Sequence, residues 1–248
     1  MKTNFSSNEK ESRGLTRVEL LTLVATFALL GLLAVPAWSR PGPRPSRTQC
    51  LANLRQIALA TIQYANEYGN RLPQNPGGNW PIDLPVPVAN TMQPFGLTKE
   101  ILYEPGLQNQ NNEILWNFTQ QYHVIGYANT FAGTGVLFPA NENTSIDSQP
   151  VKIAAVWLPA VAPASRVLWA DTTMTPAGQN ATDPASRASY NYSDLAIGAP
   201  QHQRTSHLQA GMPAGCNLAM LDGHVEWRQF ADMIPRSAAG INRPFWWW

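Results

Sequence analysis

RGLTRVELLTLVATFALLGLLAVPAW, residues 13–38, is the stretch that decides the architecture. From Val18 to Trp38 it is apolar except for Glu19, Thr22 and Thr26. At about 1.5 Å rise per residue it is long enough to cross a hydrocarbon core of ~30 Å. The run exceeds the roughly 7–15 apolar residues of a cleaved secretory signal, so a retained membrane anchor is expected. A carboxylate near its start is costly in lipid and marks Glu19 as a functional residue.

The remaining composition bounds the domain beyond this helix. The chain has 248 residues, 44% of them hydrophobic, enough for one large domain. With 17 Lys+Arg against 16 Asp+Glu, the net charge of +1 implies no bulk attraction to nucleic acid, and no nucleic-acid partner is expected. Charged residues make up 13%, about half the usual share, while 21 prolines and nine tryptophans point to a loop-rich domain. Cys50 and Cys216 lack the paired spacing of a zinc or thioredoxin-type site and fit either one disulfide or two buried thiols. Basic residues flank the apolar run on both sides, Lys2, Lys10, Arg13 and Arg17 before it and Arg40, Arg44 and Arg47 after it, so charge does not set its orientation.

The polar leader ending in Gly14, then Leu15-Thr16-Arg17-Val18-Glu19 and the apolar helix, resembles the prepilin signal of type IV pilins and type II secretion pseudopilins. The resemblance implies cleavage by a prepilin peptidase between Gly14 and Leu15 and methylation of the new amino terminus. Glu19 becomes the fifth residue of the processed chain and Pro36 the twenty-second, where many pilins kink. A new α-amino group is a cation at the right depth, so Glu19 of one subunit can neutralise the amine of its neighbour and set axial register. Arg17 stands where relatives carry an apolar residue and offers Glu19 a rival partner. Processing is therefore better supported than polymerisation.

Outward from the helix, SRPGPRPSRTQC carries Pro41, Pro43 and Pro45, which break any helix and predict a hinge. Next, TQCLANLRQIALATIQYANEYGNRLPQ places Leu51, Leu54, Ala58, Ile62 and Ala65 on one face, with Ser46 or Thr48 as N-cap and Gly69 as the stop. This segment is similar to one branch of prepilin-like proteins, which close on a His, nine residues, then Asp-Gly. Here Asp222, Gly223 and His224 match, but fourteen residues separate His207 from Asp222, an insertion placed near GMPAG. The motif His, if it acts with the turn, has to reach it across that longer loop.

In the middle, HVIGYANTF and GVLFPA read as strands joined by AGTG, with EILWNFTQQ either a short helix or an edge strand. VKIAAVWLP and ASRVLWADTT read as two more strands, the second ending in Asp171. Asp171 is read as a turn cap in preference to a calcium ligand, since calcium needs six to eight oxygens and one Asp supplies at most two. In CNLAMLDGHVEWRQF, Asp222-Gly223 predicts a two-residue type I′ hairpin pairing Met220 with Val225 and Leu218 with Trp227. Leu218, Met220, Val225 and Trp227 then share a face. The three tryptophans of INRPFWWW pack on the domain, touch a partner or sit at the membrane interface, with packing the simplest reading.

The expected fold is α+β: a leader over 1–14, a membrane-spanning helix over 15–39, a Pro-rich linker over 40–47, and over 48–248 a second helix packed on an antiparallel sheet. The resemblance implies a structural subunit of the bacterial inner membrane, single-pass, with its C-terminal domain in the periplasm. Its partners would be prepilin peptidase and other pilin-like subunits. The alternative is an anchored module that binds a polysaccharide or secreted substrate. An enzyme built on His207, Asp222 and His224 is disfavoured, since the turn explains Asp222-Gly223 without chemistry; no catalytic residue, metal ligand or cofactor is assigned.

Overall fold

The structure, a computed structural model, describes residues 16–26, 47–77, 79–107, 110–148, 150, 152–153, 155–157, 159–176, 187, 189–193, 205–237 and 244–248. Gly14, Leu15, Pro36 and the prolines of the linker lie outside the described residues. The chain divides into two units, Met1–Gly42 and Pro43–Trp248.

In the first unit, residues 17–26 form a helix, α1. Its start is a capping box: the Thr16 N–H and hydroxyl both donate to Glu19 Oε2 at 2.9 Å, and the Glu19 N–H donates to Thr16 Oγ1 at 3.3 Å. Among the described residues, then, the partner of Glu19 is Thr16. Val18, Leu20, Leu21, Leu23 and Val24 are all exposed. Among the described residues no helix is long and apolar enough to cross a membrane.

The second unit is α+β. Helix α2, Arg47–Glu67, contains Thr48 inside its first turn, so of the two N-caps expected only Ser46 precedes it, outside the described residues. Its end is closed as expected, with Gly69 at φ 65° and the Asn70 N–H donating to the Ala65 carbonyl at 2.8 Å. The buried stripe is Cys50, Asn53, Leu54, Ile57, Ala58, Thr61 and Ala65, whereas Leu51 and Ile62 are half-buried. It is more polar than the apolar spacing predicts because two polar members are bonded inside. Trp169 Nε1–H donates to Thr61 Oγ1 at 3.0 Å, and Asn53 Nδ2 donates to the Tyr103 carbonyl at 3.4 Å.

Twelve short strands are described: β1 Asp83–Pro85, β2 Tyr122–Val124, β3 Tyr127–Asn129, β4 Lys152–Ile153, β5 Val156–Trp157, β6 Val167–Asp171, β7 Met174–Thr175, β8 Leu208–Gln209, β9 Met212–Pro213, β10 Gly215–Met220, β11 Val225–Gln229 and β12 Phe245–Trp246. The central sheet has the order β11-β10-β6-β3, antiparallel throughout, and α2 packs across β10 and β6. β10 is buried along its whole length. On the α2 side lie Leu54, Ile57, Tyr127, Trp169, Ala219 and Leu221; on the other, Ala128, Ala170, Cys216, Leu218, Met220 and the terminal tryptophans. Trp246, Trp247 and Trp248 are at most 1% exposed, so packing is what they do.

Two expectations are corrected, and one open choice is resolved. GVLFPA forms no strand; β2 and β3 flank Ile125-Gly126 instead and pair with β1 and β6 separately. Beyond the short helix α3 (Val86–Met92), EILWNFTQQ resolves as a helical turn, α4 over Glu113–Trp116, with Asn112 Oδ1 capping the Leu115 N–H at 2.9 Å. The closing hairpin is not type I′. Leu218 pairs with Glu226 and Ala219 with Val225, one residue away from the expected register. The Gly223 N–H donates to the Met220 carbonyl at 2.9 Å, and only Gly223 in the turn has positive φ, 87°. A three-residue loop with glycine as its bulge spares Asp222 the left-handed conformation. The shift sends Val225 and Trp227 to the α2 face, opposite Leu218 and Met220.

Candidate functional site

The polar residues that matter meet where α2, β6 and β10 come together, not at the hairpin turn. Asp171 closes β6 and is completely buried. One of its oxygens, Oδ2, gathers three donors: the Asn217 N–H and Nδ2 at 2.7 Å each and His207 Nε2 at 2.9 Å. Asn217 Nδ2 therefore also lies 3.2 Å from the ring nitrogen, two donors converging on one acceptor. Asp171 is no turn cap. The strand end signalled in VLWADTT is real, but its carboxylate points into the protein.

His207 reaches Asp171 through local backbone geometry. The Ser206 N–H donates to the Thr172 carbonyl at 2.9 Å, laying this segment beside the end of β6. His207 itself has φ 54°, and the extra residues fold away as the small β8–β9 hairpin, closed by the Ala214 N–H on the His207 carbonyl at 3.0 Å. Leu208–Pro213 is thus looped out as a unit. It carries the motif histidine to the start of β10, whereas the turn at Asp222-Gly223 is at the far end, roughly 17 Å along the strand. At the turn, His224 Nδ1 bonds Asp222 Oδ1 at 2.6 Å and both residues are exposed. The motif residues His207, Asp222, Gly223 and His224 therefore do not converge.

Two residues that no sequence motif singles out complete the buried cluster. Cys50, in the first turn of α2, is a free thiol, as is Cys216, and its Sγ lies 2.9 Å from Glu104 Oε1. Glu104 follows a 3-10 turn, Glu100–Leu102, and is 2% exposed. Gly126 lets the chain bring it there. A Cβ on Gly126 would stand 2.8 Å from the Glu104 nitrogen and 3.1 Å from Tyr103 Cα, a close backbone approach that only glycine permits. One ligand atom each from Cys50, Glu104 and His207 lie within 4.8 Å of one another. The ring of Trp227 stands edge-on to His207 at 5.3 Å, and the Arg47 guanidinium covers that indole at 4.2 Å.

The cluster is electrostatically lopsided. Burial raises the Glu104 carboxyl above its usual range, and the Asp171 charge adds to that, against the hydrogen bond from Cys50. Burial, then Asp171 and Glu104, push the Cys50 thiol far up, so it is a protonated donor to Glu104 and not a nucleophile. Burial depresses His207, but the hydrogen bond and charge of Asp171, with Glu104, outweigh it and lift the imidazole above its ordinary value. Glu104 and Asn53 also line a surface cleft of about 580 Å³, with Gln49, Gln56 and Asn111 on its walls.

Glu104 stands alone in ILYEPGL, and only its place between apolar residues and a proline hints that it is buried. The spacing of Cys50 and Cys216 fits either one disulfide or two buried thiols, and the structure has two buried free thiols, with nothing in the sequence to pair Cys50 with Glu104. Comparison with known protein families, curated proteins and solved structures finds no significant match to this chain.

Proposed function

We propose that the chain is a pseudopilin-like structural subunit, held in a bacterial inner membrane by an apolar helix over 15–39 and processed by a prepilin peptidase between Gly14 and Leu15. The observation that carries this reading is the run Gly14-Leu15-Thr16-Arg17-Val18-Glu19 ahead of an apolar helix. It is supported by α1, whose Val18, Leu20, Leu21, Leu23 and Val24 are exposed and suit lipid or neighbouring subunits. A helix packed on an antiparallel sheet is the domain such a subunit would carry outside the membrane. Assembly, with other pilin-like subunits as partners, would place Glu19 against the amino terminus of the next chain.

The capping box provides a sharp test of that role. Glu19→Gln keeps an acceptor for Thr16 but removes the charge, whereas Glu19→Ala removes both. Crosslinking of mature subunits in the membrane should give a ladder for the wild type and none for either variant. A ladder from Glu19→Gln equal to the wild type reduces Glu19 to a helix cap. Intact mass of the membrane-extracted protein should show a chain without residues 1–14 and with a methylated Leu15; a retained Met1 removes the processing claim.

A second reading, an anchored module for a polysaccharide, has the polar cleft beside Asn53 and Glu104 in its favour. It expects Asn53→Ala to weaken retention on an immobilised glycan array while leaving any crosslinked ladder intact. No retention of the wild type on any glycan closes that reading.

A further inference from the structure

We infer that Cys50, Glu104 and His207, with Asp171 beside them, form a site for a single divalent transition-metal ion of the zinc class. The site is independent of processing and assembly, because it concerns only the interior of the second unit.

The donor set is the first argument. Thiolate sulfur, imidazole nitrogen and carboxylate oxygen together are the ligands of zinc and its neighbours, whereas calcium and magnesium take oxygen alone. Zinc bonds of about 2.0–2.3 Å at tetrahedral angles put ligand atoms about 3.5 Å apart. The Sγ of Cys50 and Oε1 of Glu104 are 2.9 Å apart, and the full set fits within 4.8 Å. Side-chain adjustments of about 1 Å bring all three donors onto one ion.

Charge is the second. Two buried carboxyl groups, Glu104 and Asp171, stand beside a single imidazole, so once Glu104 gives up its proton the interior holds more anionic groups than the His207 ring alone can match. An unpaired buried charge is costly, and a divalent ion removes that cost.

An independent pointer is Asp171. Its Oδ2 takes three hydrogen bonds, while Oδ1 is buried with no partner among the described residues. Buried carboxylate oxygens are rarely left without a donor or an ion. Asp171 lies outside the set of ligand atoms within 4.8 Å of one another and holds the His207 ring through Oδ2 at 2.9 Å, as carboxylates commonly do for metal-bound histidines. The cleft lined by Glu104 and Asn53 reaches the cluster on its Glu104 side. Binding forms an S–metal bond and breaks the Cys50 S–H bond, releasing that proton to water.

The test uses the full chain in detergent, reduced and stripped with chelator, and titrated with Co²⁺ followed by Zn²⁺. One equivalent of Co²⁺ should produce an intense sulfur-to-cobalt charge-transfer band with tetrahedral d–d bands, and Zn²⁺ should displace it. Cys50→Ser should abolish the charge-transfer band, and Glu104→Gln and His207→Ala should weaken Co²⁺ binding by about 10-fold or more, whereas Cys216→Ser should leave the titration unchanged. Absence of the band in the wild type, or its survival in Cys50→Ser, overturns the site. Zinc-edge X-ray absorption of the loaded wild type keeps the test independent of how the variants fold. One sulfur with nitrogen and oxygen neighbours upholds the site, and an all-oxygen shell overturns it.

Discussion

At the scale of single residues, burial of a carboxyl group with one hydrogen bond to meet it sets the most informative behaviour. Asp83 on β1 accepts from the Trp80 N–H at 2.9 Å and is otherwise enclosed, and burial lifts its carboxyl to about 7. The unfolded chain releases this proton near pH 4, the folded chain near 7. Folding is therefore favoured fully below the unfolded value and loses stability as pH rises to 7, with no further change from this group above that. Asp83→Asn keeps an acceptor for Trp80 and removes the titration. Denaturant unfolding at pH 4.5 and pH 8 should show the variant gaining on the wild type at the higher pH by up to about 4 kcal/mol. Gly126→Ala acts on close packing: the added Cβ meets backbone 2.8 Å away, so a loss of about 1–3 kcal/mol is expected in the same measurement.

At the scale of elements, the closing hairpin shows how one residue of register changes a whole face. Asp-Gly between alternating runs is legible as a turn, yet loop length is not. A type I′ loop and a type I loop with a glycine bulge both accept Asp-Gly, and they differ by one position in pairing. Burial on both faces of β10 removes the check that alternation normally supplies. Gly223, at φ 87°, carries the observed turn. Gly223→Ala should cost about 1–2 kcal/mol, and Gly223→Asn less, because asparagine tolerates the left-handed region; thermal melts of the two variants check the order. The extent and the stop of α2 are legible in the sequence. The burial of its Asn53 and Thr61 is not, because it depends on Tyr103 and Trp169, distant along the chain.

At the scale of the whole molecule, the terminal tryptophans bind the far layer of the sheet together. The Trp247 N–H donates to the Thr173 carbonyl at 3.0 Å, its indole N–H donates to Thr175 at 3.3 Å, and β12 pairs with β7. Trp247→Ala should therefore behave as a core truncation, costing about 3–5 kcal/mol in denaturant unfolding, and not as the loss of a surface side chain. The Trp247 amide should exchange with solvent as slowly as those of β10.

Local pattern alone determined the helix of Arg47–Glu67 with its glycine stop, the strand ending at Asp171, the Asp-Gly turn and the apolar segment that carries Glu19 near its start, because each is written in neighbouring residues. Tertiary structure alone decided that His207 turns away from Asp222 toward Asp171, that the thiols of Cys50 and Cys216 stay separate, and that Glu104 joins the buried cluster. Those contacts span 36 residues from Asp171 to His207 and 54 from Cys50 to Glu104. Their formation depends on a looped-out hairpin and on one close approach at Gly126, neither of which leaves a periodic trace in the sequence.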